Sequence, residues 1–203
     1  MAKPKRDEVT YQKFLSEPRN FEIAVEVFGH FEEVRTYLQE KYWTTVRRFL
    51  ENHKLSQKFG KWKVTDDGAA PADKYYGIAF DPSAEVSSVY CRACLEQGEP
   101  GHRFPIRFGI AWSEETPRAK EPDVPELHIL RKHLREERGM TKPTQNWWIA
   151  RGEPGYELHS ADVLTQLARD NTIQRLQADE FVQFFLETRK MVERLNAKIA
   201  KSS

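Results

Sequence analysis

The sharpest chemical pattern in this chain is Cys91-Arg92-Ala93-Cys94, with His102 eight residues further on. Two thiolates and an imidazole are three of the four ligands that a tetrahedral zinc takes, and zinc knuckles use this cysteine spacing. A second such pair is absent, and His53 and His128 lie far away in sequence. As a redox dithiol the pair lacks the strand-then-helix setting of thioredoxin-like motifs. In a strand running from Val86 to Ala93, Cys91 would point away from Tyr90 and serve as a small buried hydrophobe. Cys91, Cys94 and His102 are therefore the metal candidates. The expectation is ordinary packing, with no metal and no cofactor.

Other chemistry-bearing residues are spaced less usefully. His128 and His133 are five apart, which does not bring them to one helix face as a spacing of four would. Asp66-Asp67 and Glu114-Glu115 are adjacent carboxylates, which helices and strands point apart. No glycine-rich phosphate loop and no Gly-x-Ser-x-Gly elbow occurs. No residue is expected to be catalytic.

Charge clustering says more. Lys54, Lys58, Lys61 and Lys63 form a basic run with Phe59 and Trp62 interleaved, and Arg131, Lys132, Arg135, Arg138 and Lys142 form another, diluted by Glu136 and Glu137. Cations that track phosphates beside rings that stack on bases suit single-stranded nucleic acid. The expected nucleic-acid contacts are Lys54, Lys58, Lys61, Lys63, Arg131, Lys132 and Arg135. The competing reading makes Phe59 and Trp62 core and the lysines a solvated rim. Lys61 and Lys63 would share one strand face, with Trp62 on the other.

Composition bounds these readings. The chain has 203 residues, 39% hydrophobic and 31% charged, with a net charge of +1; its mean hydropathy is -0.73. That balance excludes general disorder, and it leaves any polyanion binding to local clusters. No apolar run approaches the ~20 residues of a membrane helix. Two cysteines make no disulfide framework, so the expected location is the cytoplasm.

The elements that must position these residues begin after a charged leader, residues 1–18, with a turn of helix around 11–15. Residues 19–203 are expected to form a single α+β domain. Asn20 is the expected N-cap of a long helix or bent pair over 20–53. Its apolar residues recur at threes and fours from Ala24 through Val27, Phe28, Phe31, Val34 and Leu38 to Leu50, with Gly29 as a possible break. Strands follow at Lys61 to Thr65, Lys74 to Phe80, Val86 to Ala93, Phe104 to Trp112 and Asn146 to Arg151. Two of them carry the twin motifs Tyr76-Gly-Ile-Ala-Phe80 and Phe108-Gly-Ile-Ala-Trp112, bulky on one face and small on the other. The twins are expected in one sheet, with helices on the small-residue face. Asp123 is the expected cap of a helix that Gly139 stops, Ser160 caps a short helix through Ala168, and a last helix covers Asp179 to Ala200. The fold class is thus an antiparallel meander sheet flanked by a long N-terminal helix and a C-terminal helix pair.

A helix with Glu40-Lys-Tyr-Trp-Thr-Thr-Val46, a strand with Tyr75-Tyr-Gly-Ile78, the Phe-Gly-Ile-Ala-Trp strand, Trp147-Trp148 and the helix from Phe181 to Ile199 form a familiar series. Over residues 20–200 it resembles the region that follows the nuclease core in some bacterial PD-(D/E)XK nuclease-like proteins. The family's catalytic pattern, a strand-borne Asp and then Asp/Glu-x-Lys, is missing. Asp123 is followed by Glu126-Leu127-His128, and neither Asp81 nor Glu85 has the lysine. The resemblance implies an accessory part without the catalytic blade.

The expected function is a non-enzymatic binding or accessory module in a nucleic-acid or phage-defence assembly, working through a protein partner with weak nucleic-acid contacts. The alternative is a metal-assisted, nuclease-like hydrolase whose ligands are scattered in sequence. The two differ in one respect: the hydrolase needs convergent carboxylates or histidines with shifted pKa values.

Overall fold

Five strands run in chain order through one antiparallel sheet: β1 (Trp62–Asp67), β2 (Tyr76–Pro82), β3 (Cys91–Gln97), β4 (Pro105–Trp112) and β5 (Trp148–Arg151). A sixth, β6 (Tyr156–Glu157), pairs with the first residues of β4. The helices are α1 (Pro18–Gly29), α2 (Phe31–Asn52), α3 (Pro125–Arg138), α4 (Ala161–Arg169) and α5 (Thr172–Ile199). This is the expected α+β meander. The computed structural model describes residues 12–53, 62–68, 70–72, 75–82, 89–98, 103–113, 121–143, 147–152 and 155–201. The chain divides after Tyr37 into two compact units. Of the expected 1–18 leader, residues 1–11 lie outside the described residues, and 12–15 form a turn of helix.

The core of the unit from Leu38 onward lies between one sheet face and the helices. Strand periodicity sends Tyr76, Ile78 and Phe80 of β2, and Ile106, Phe108, Ile110 and Trp112 of β4, to that face. From α5, the Phe181 ring stacks on Phe80 at 4.8 Å, Phe185 meets Phe80 at 4.5 Å, and Phe184 meets Phe108 at 5.0 Å. From α2, Tyr42, Trp43, Val46 and Leu50 are buried in the same core. Each large side chain removed from water there contributes about 1.5–3 kcal/mol. Two buried polar side chains in this core bridge its elements. The Trp43 indole donates to Gln97 Oε1 at 2.6 Å, and Asn196 of α5 accepts from the Cys91 N–H at 2.7 Å and donates to its carbonyl at 2.9 Å.

The twin strands share the sheet with β3 between them, as expected, but the helices cover the other face. Helices pack on the bulky residues, and Gly77, Ala79, Gly109 and Ala111 face away from them. The reason is the size of the apolar surface: three or four large rings and aliphatics per strand release more free energy on burial than glycine and alanine. The glycines answer to neighbouring strands. A Cβ on Gly109 would stand 2.2 Å from the Ala150 carbonyl oxygen, and one on Gly77 would stand 2.5 Å from that of Leu95.

Several boundaries differ from expectation. The third strand is Cys91–Gln97: of the expected Val86 to Ala93, residues 86–88 lie outside the described residues, Val89 and Tyr90 precede the strand, and it continues past Ala93 to Gln97. α1 begins at Pro18 behind Glu17, so Asn20 lies inside it and donates to the Phe14 carbonyl. Pro at the first helical position explains this start, since its missing N–H has no helical partner to lose. Val124, not Asp123, precedes α3, and Asp123 instead meets His128 at 2.7 Å. Gly139 does end α3, in the left-handed conformation. α5 begins at Thr172, two turns earlier than Asp179.

Candidate functional site

The sheet face that the helices leave uncovered carries the densest polar cluster among the described residues. Register builds it in rows. Asp67, Gly77, Glu96 and Arg107 are successive cross-strand partners, as are Thr65, Ala79, Cys94, Gly109 and Arg151. A third row holds Lys63 opposite Asp81, and Arg92, Ala111 and Trp148. Because Gly77 has no side chain, β2 puts nothing between the carboxylates of Asp67 and Glu96. Ala79, Cys94, Ala111 and Trp148 form a small apolar floor with Trp147 packed against it.

Arg92 ties the charges together. Its Nη2 donates to Asp67 Oδ1 at 3.0 Å, and its Nη1 lies 3.6 Å from Asp81 Oδ2. Asp81 also accepts from the hydroxyls of Tyr90, at 3.2 Å, and Thr65. The Cys94 thiol donates to Asp67 Oδ2 at 3.3 Å. Ligand atoms of Asp67, Cys94 and Glu96 lie within 4.8 Å of one another, a donor set of two carboxylates and a sulfur. Burial, with Asp67 and Glu96 beside it, pushes the Cys94 thiol up. Burial and Asp67 push Glu96 up to about 8, against the pull of Arg151, Arg107 and Arg92. At neutral pH the Cys94 thiol and the Glu96 carboxyl therefore hold their protons, and a divalent ion would have to displace both.

The cysteine pair does not act as one site. Cys91 lies in the helix-side core and Cys94 on the opposite face. A spacing of three in a period-two strand forces that separation. Neither a shared zinc nor a disulfide between them fits, and both thiols are free. His102 lies outside the described residues.

The basic clusters fare differently. Lys54, Lys58, Phe59 and Lys61 lie outside the described residues. Lys63 is exposed on β1, and Trp62 is buried on the other face, its ring 5.1 Å from Phe185 and its indole donating to Glu193 at 3.1 Å. In the second cluster Glu121 takes Arg131 at 2.7 Å and Lys142 at 2.5 Å, and Glu187 takes Arg138. These two donors, through hydrogen bonds and charge, hold Glu121 below its ordinary range despite the opposing effect of burial. Lys132 and Arg135 are exposed, 4.0 and 3.5 Å from Glu136, and such surface pairs hold side chains weakly. Lys63, Lys132 and Arg135 thus remain as exposed cations from the expected set.

The N-terminal unit presents the other candidate surface. α1 buries none of its residues. Phe21, Ile23, Val25, Val27 and Phe28 are all more than half exposed, Phe28 at 83%. The sequence showed the helix and its apolar residues as one run with those of α2, and nothing in the spacing separates the exposed part from the buried part. The heptad-like spacing that buries Tyr42, Val46 and Leu50 continues backwards through residues that stay in water. The polar sheet face was missed for another reason. Arg92, Cys94 and Glu96 alternate as one strand face should, yet the strand expected from the sequence stops at Ala93.

Comparison with protein-family models, with characterised proteins and with solved structures finds no match. No helix among the described residues is long and apolar enough to cross a membrane.

Proposed function

We propose that this chain is a non-enzymatic binding module, an accessory part of an assembly acting on nucleic acid, and that residues 18–37 are its protein-docking element. The observation that carries this reading is α1, a twelve-residue helix rich in large apolar side chains with none of them buried. Contiguous apolar surface of this extent on a soluble chain marks a contact surface. The likeness to the segment after a PD-(D/E)XK-type nuclease core supports an accessory role, since the acid-and-lysine pattern is absent. Exposed Lys63, Lys132 and Arg135 would add weak, sequence-indifferent phosphate contacts.

The test isolates the full chain and a Phe21→Glu/Phe28→Glu variant from the native host and identifies what accompanies each. Proteins held by the parent and lost from a variant with unchanged circular dichroism support the reading. Identical companions for both would refute it.

The second reading, metal-assisted hydrolysis, is favoured by one observation: Asp67, Cys94 and Glu96 converge, and Glu96 is shifted. Against it, Arg92 already occupies Asp67, and two of the three ligands carry protons. Calorimetric titration with manganese or zinc, repeated on Asp67→Asn, decides. Stoichiometric binding that the variant loses, together with phosphodiester cleavage, would put the hydrolase first.

A further inference from the structure

We propose that the outward face of the C-terminal half of α5 is the surface on which this chain meets nucleic acid, as a row of cations that follows the phosphates of a duplex. This rests on the reading of an assembly acting on nucleic acid and names the contact surface.

Helix geometry sets the row. Lys190, Arg194 and Lys198 follow one another at a spacing of four, and Lys201 continues them just past the end of the helix. At about 100° per residue, the three helical cations lie within an arc of about 80°, and no other residue from Lys190 to Ile199 falls in it. Successive cations stand about 6 Å apart along the axis, so the four cover about 16 Å. All four are exposed. The opposite face is fixed in the core by Phe181, Phe185, Val192, Leu195 and Ile199.

The row keeps its charge because the nearby acids are engaged elsewhere. Glu187 and Glu193 are the carboxylates of this half of the helix. Glu187 takes Arg138 of α3, while Glu193 takes the Trp62 indole at 3.1 Å and Arg189 at 3.4 Å. No carboxylate among the described residues pairs with Lys190, Arg194 or Lys201. On a chain whose net charge is +1, this is a local surplus. Like charges four apart on a helix repel one another, and a polyanion laid along them relieves that repulsion.

The make-up of the arc selects the partner. A protein partner would want an apolar anchor among the charges, and the arc offers none. A helix lying on a membrane keeps its apolar face for lipid, and that of α5 is buried in the core. The arc also lacks an aromatic ring on which unpaired bases could stack. A duplex strand presents one phosphate per about 3.4 Å of axis, so the row spans about five of them. The contact is therefore electrostatic and indifferent to sequence.

The experiment measures binding of the full chain to a short mixed-sequence DNA duplex by fluorescence anisotropy over a salt series. The parent should bind at low salt, with an affinity that falls steeply as salt rises. Lys190→Gln/Arg194→Gln/Lys198→Gln should flatten that dependence by up to ~0.9 log unit per lost contact, with circular dichroism unchanged. Arg194→Lys keeps the charge and should keep the slope, as should Arg189→Gln, whose side chain is turned to Glu193. A triple variant with the parent's slope overturns the row. If Lys132→Gln/Arg135→Gln flattens the slope in its place, the nucleic-acid reading stands, on α3. A parent that binds no duplex at low salt overturns the inference and leaves the docking element to be judged by its co-isolated companions. A parent that binds anionic vesicles but no duplex overturns it in favour of a lipid surface.

Discussion

The Cys94 thiol donates to Asp67 Oδ2 at 3.3 Å, although the two residues lie on strands separated by β2. Ala79 and Gly77, the residues of β2 that face them, are too small to intervene. The thiolate is disfavoured by burial and by the neighbouring carboxylates, and burial, the largest cause, raises Cys91 likewise against the pull of Arg131. Both thiols should therefore resist a disulfide reagent in the native protein and react together in denaturant. Rapid native labelling of either one would contradict the burial of both thiols.

Arg92 is the only cation within 4 Å of Asp67 or Asp81 among the described ion pairs. Arg92→Met keeps the bulk and removes the charge, leaving two carboxylates without their partner. The expected loss is about 3–5 kcal/mol, measured by urea denaturation, as for other broken buried pairs. A loss below about 1 kcal/mol would mean that solvent already carries these charges.

Glu96 gives a pH signature with a definite sign. Its carboxyl titrates near 4.5 when unperturbed and near 8 in the fold, so between those values the native state holds a proton that the unfolded state has released. Its contribution to stability is complete below about pH 4.5, falls as pH rises toward 8, and changes no further above that. Relative to Glu96→Gln, the parent should lose up to about 1.4 kcal/mol per pH unit across that window. Parallel pH profiles for the two proteins would remove the burial of Glu96 from the account.

Gly109→Ala should destabilise by about 1–3 kcal/mol, because the new methyl meets the backbone of β5, which cannot swing aside as a side chain can. Gly77→Val should do the same against β3. Gly152→Ala is the control: its nearest neighbour is the flexible end of Met140 at 3.7 Å, and the change should stay within about 0.5 kcal/mol. Equal effects at Gly109 and Gly152 would mean that the penalty is not local overpacking.

The sequence determined the elements, their order and the antiparallel meander, because helix and strand periodicities and turn residues are local signals. It also placed Trp62 inside and Lys63 outside, since alternation needs no partner strand. Which face of the sheet the helices cover was left to tertiary structure. Both faces of β2 and β4 are legible, but only the competition among all large apolar surfaces decides which is buried. The polar cluster likewise needed register. Asp67, Asp81, Arg92 and Glu96 come from three strands, and their meeting depends on Gly77 and Ala79 lying between them. The arm shows the same limit from the other side. Phe28 and Val46 belong to one apolar spacing in the sequence, yet only Val46 has the sheet and α5 to pack against. Spacing tells a helix where its apolar residues lie; what covers them is decided by the rest of the fold, or by another molecule.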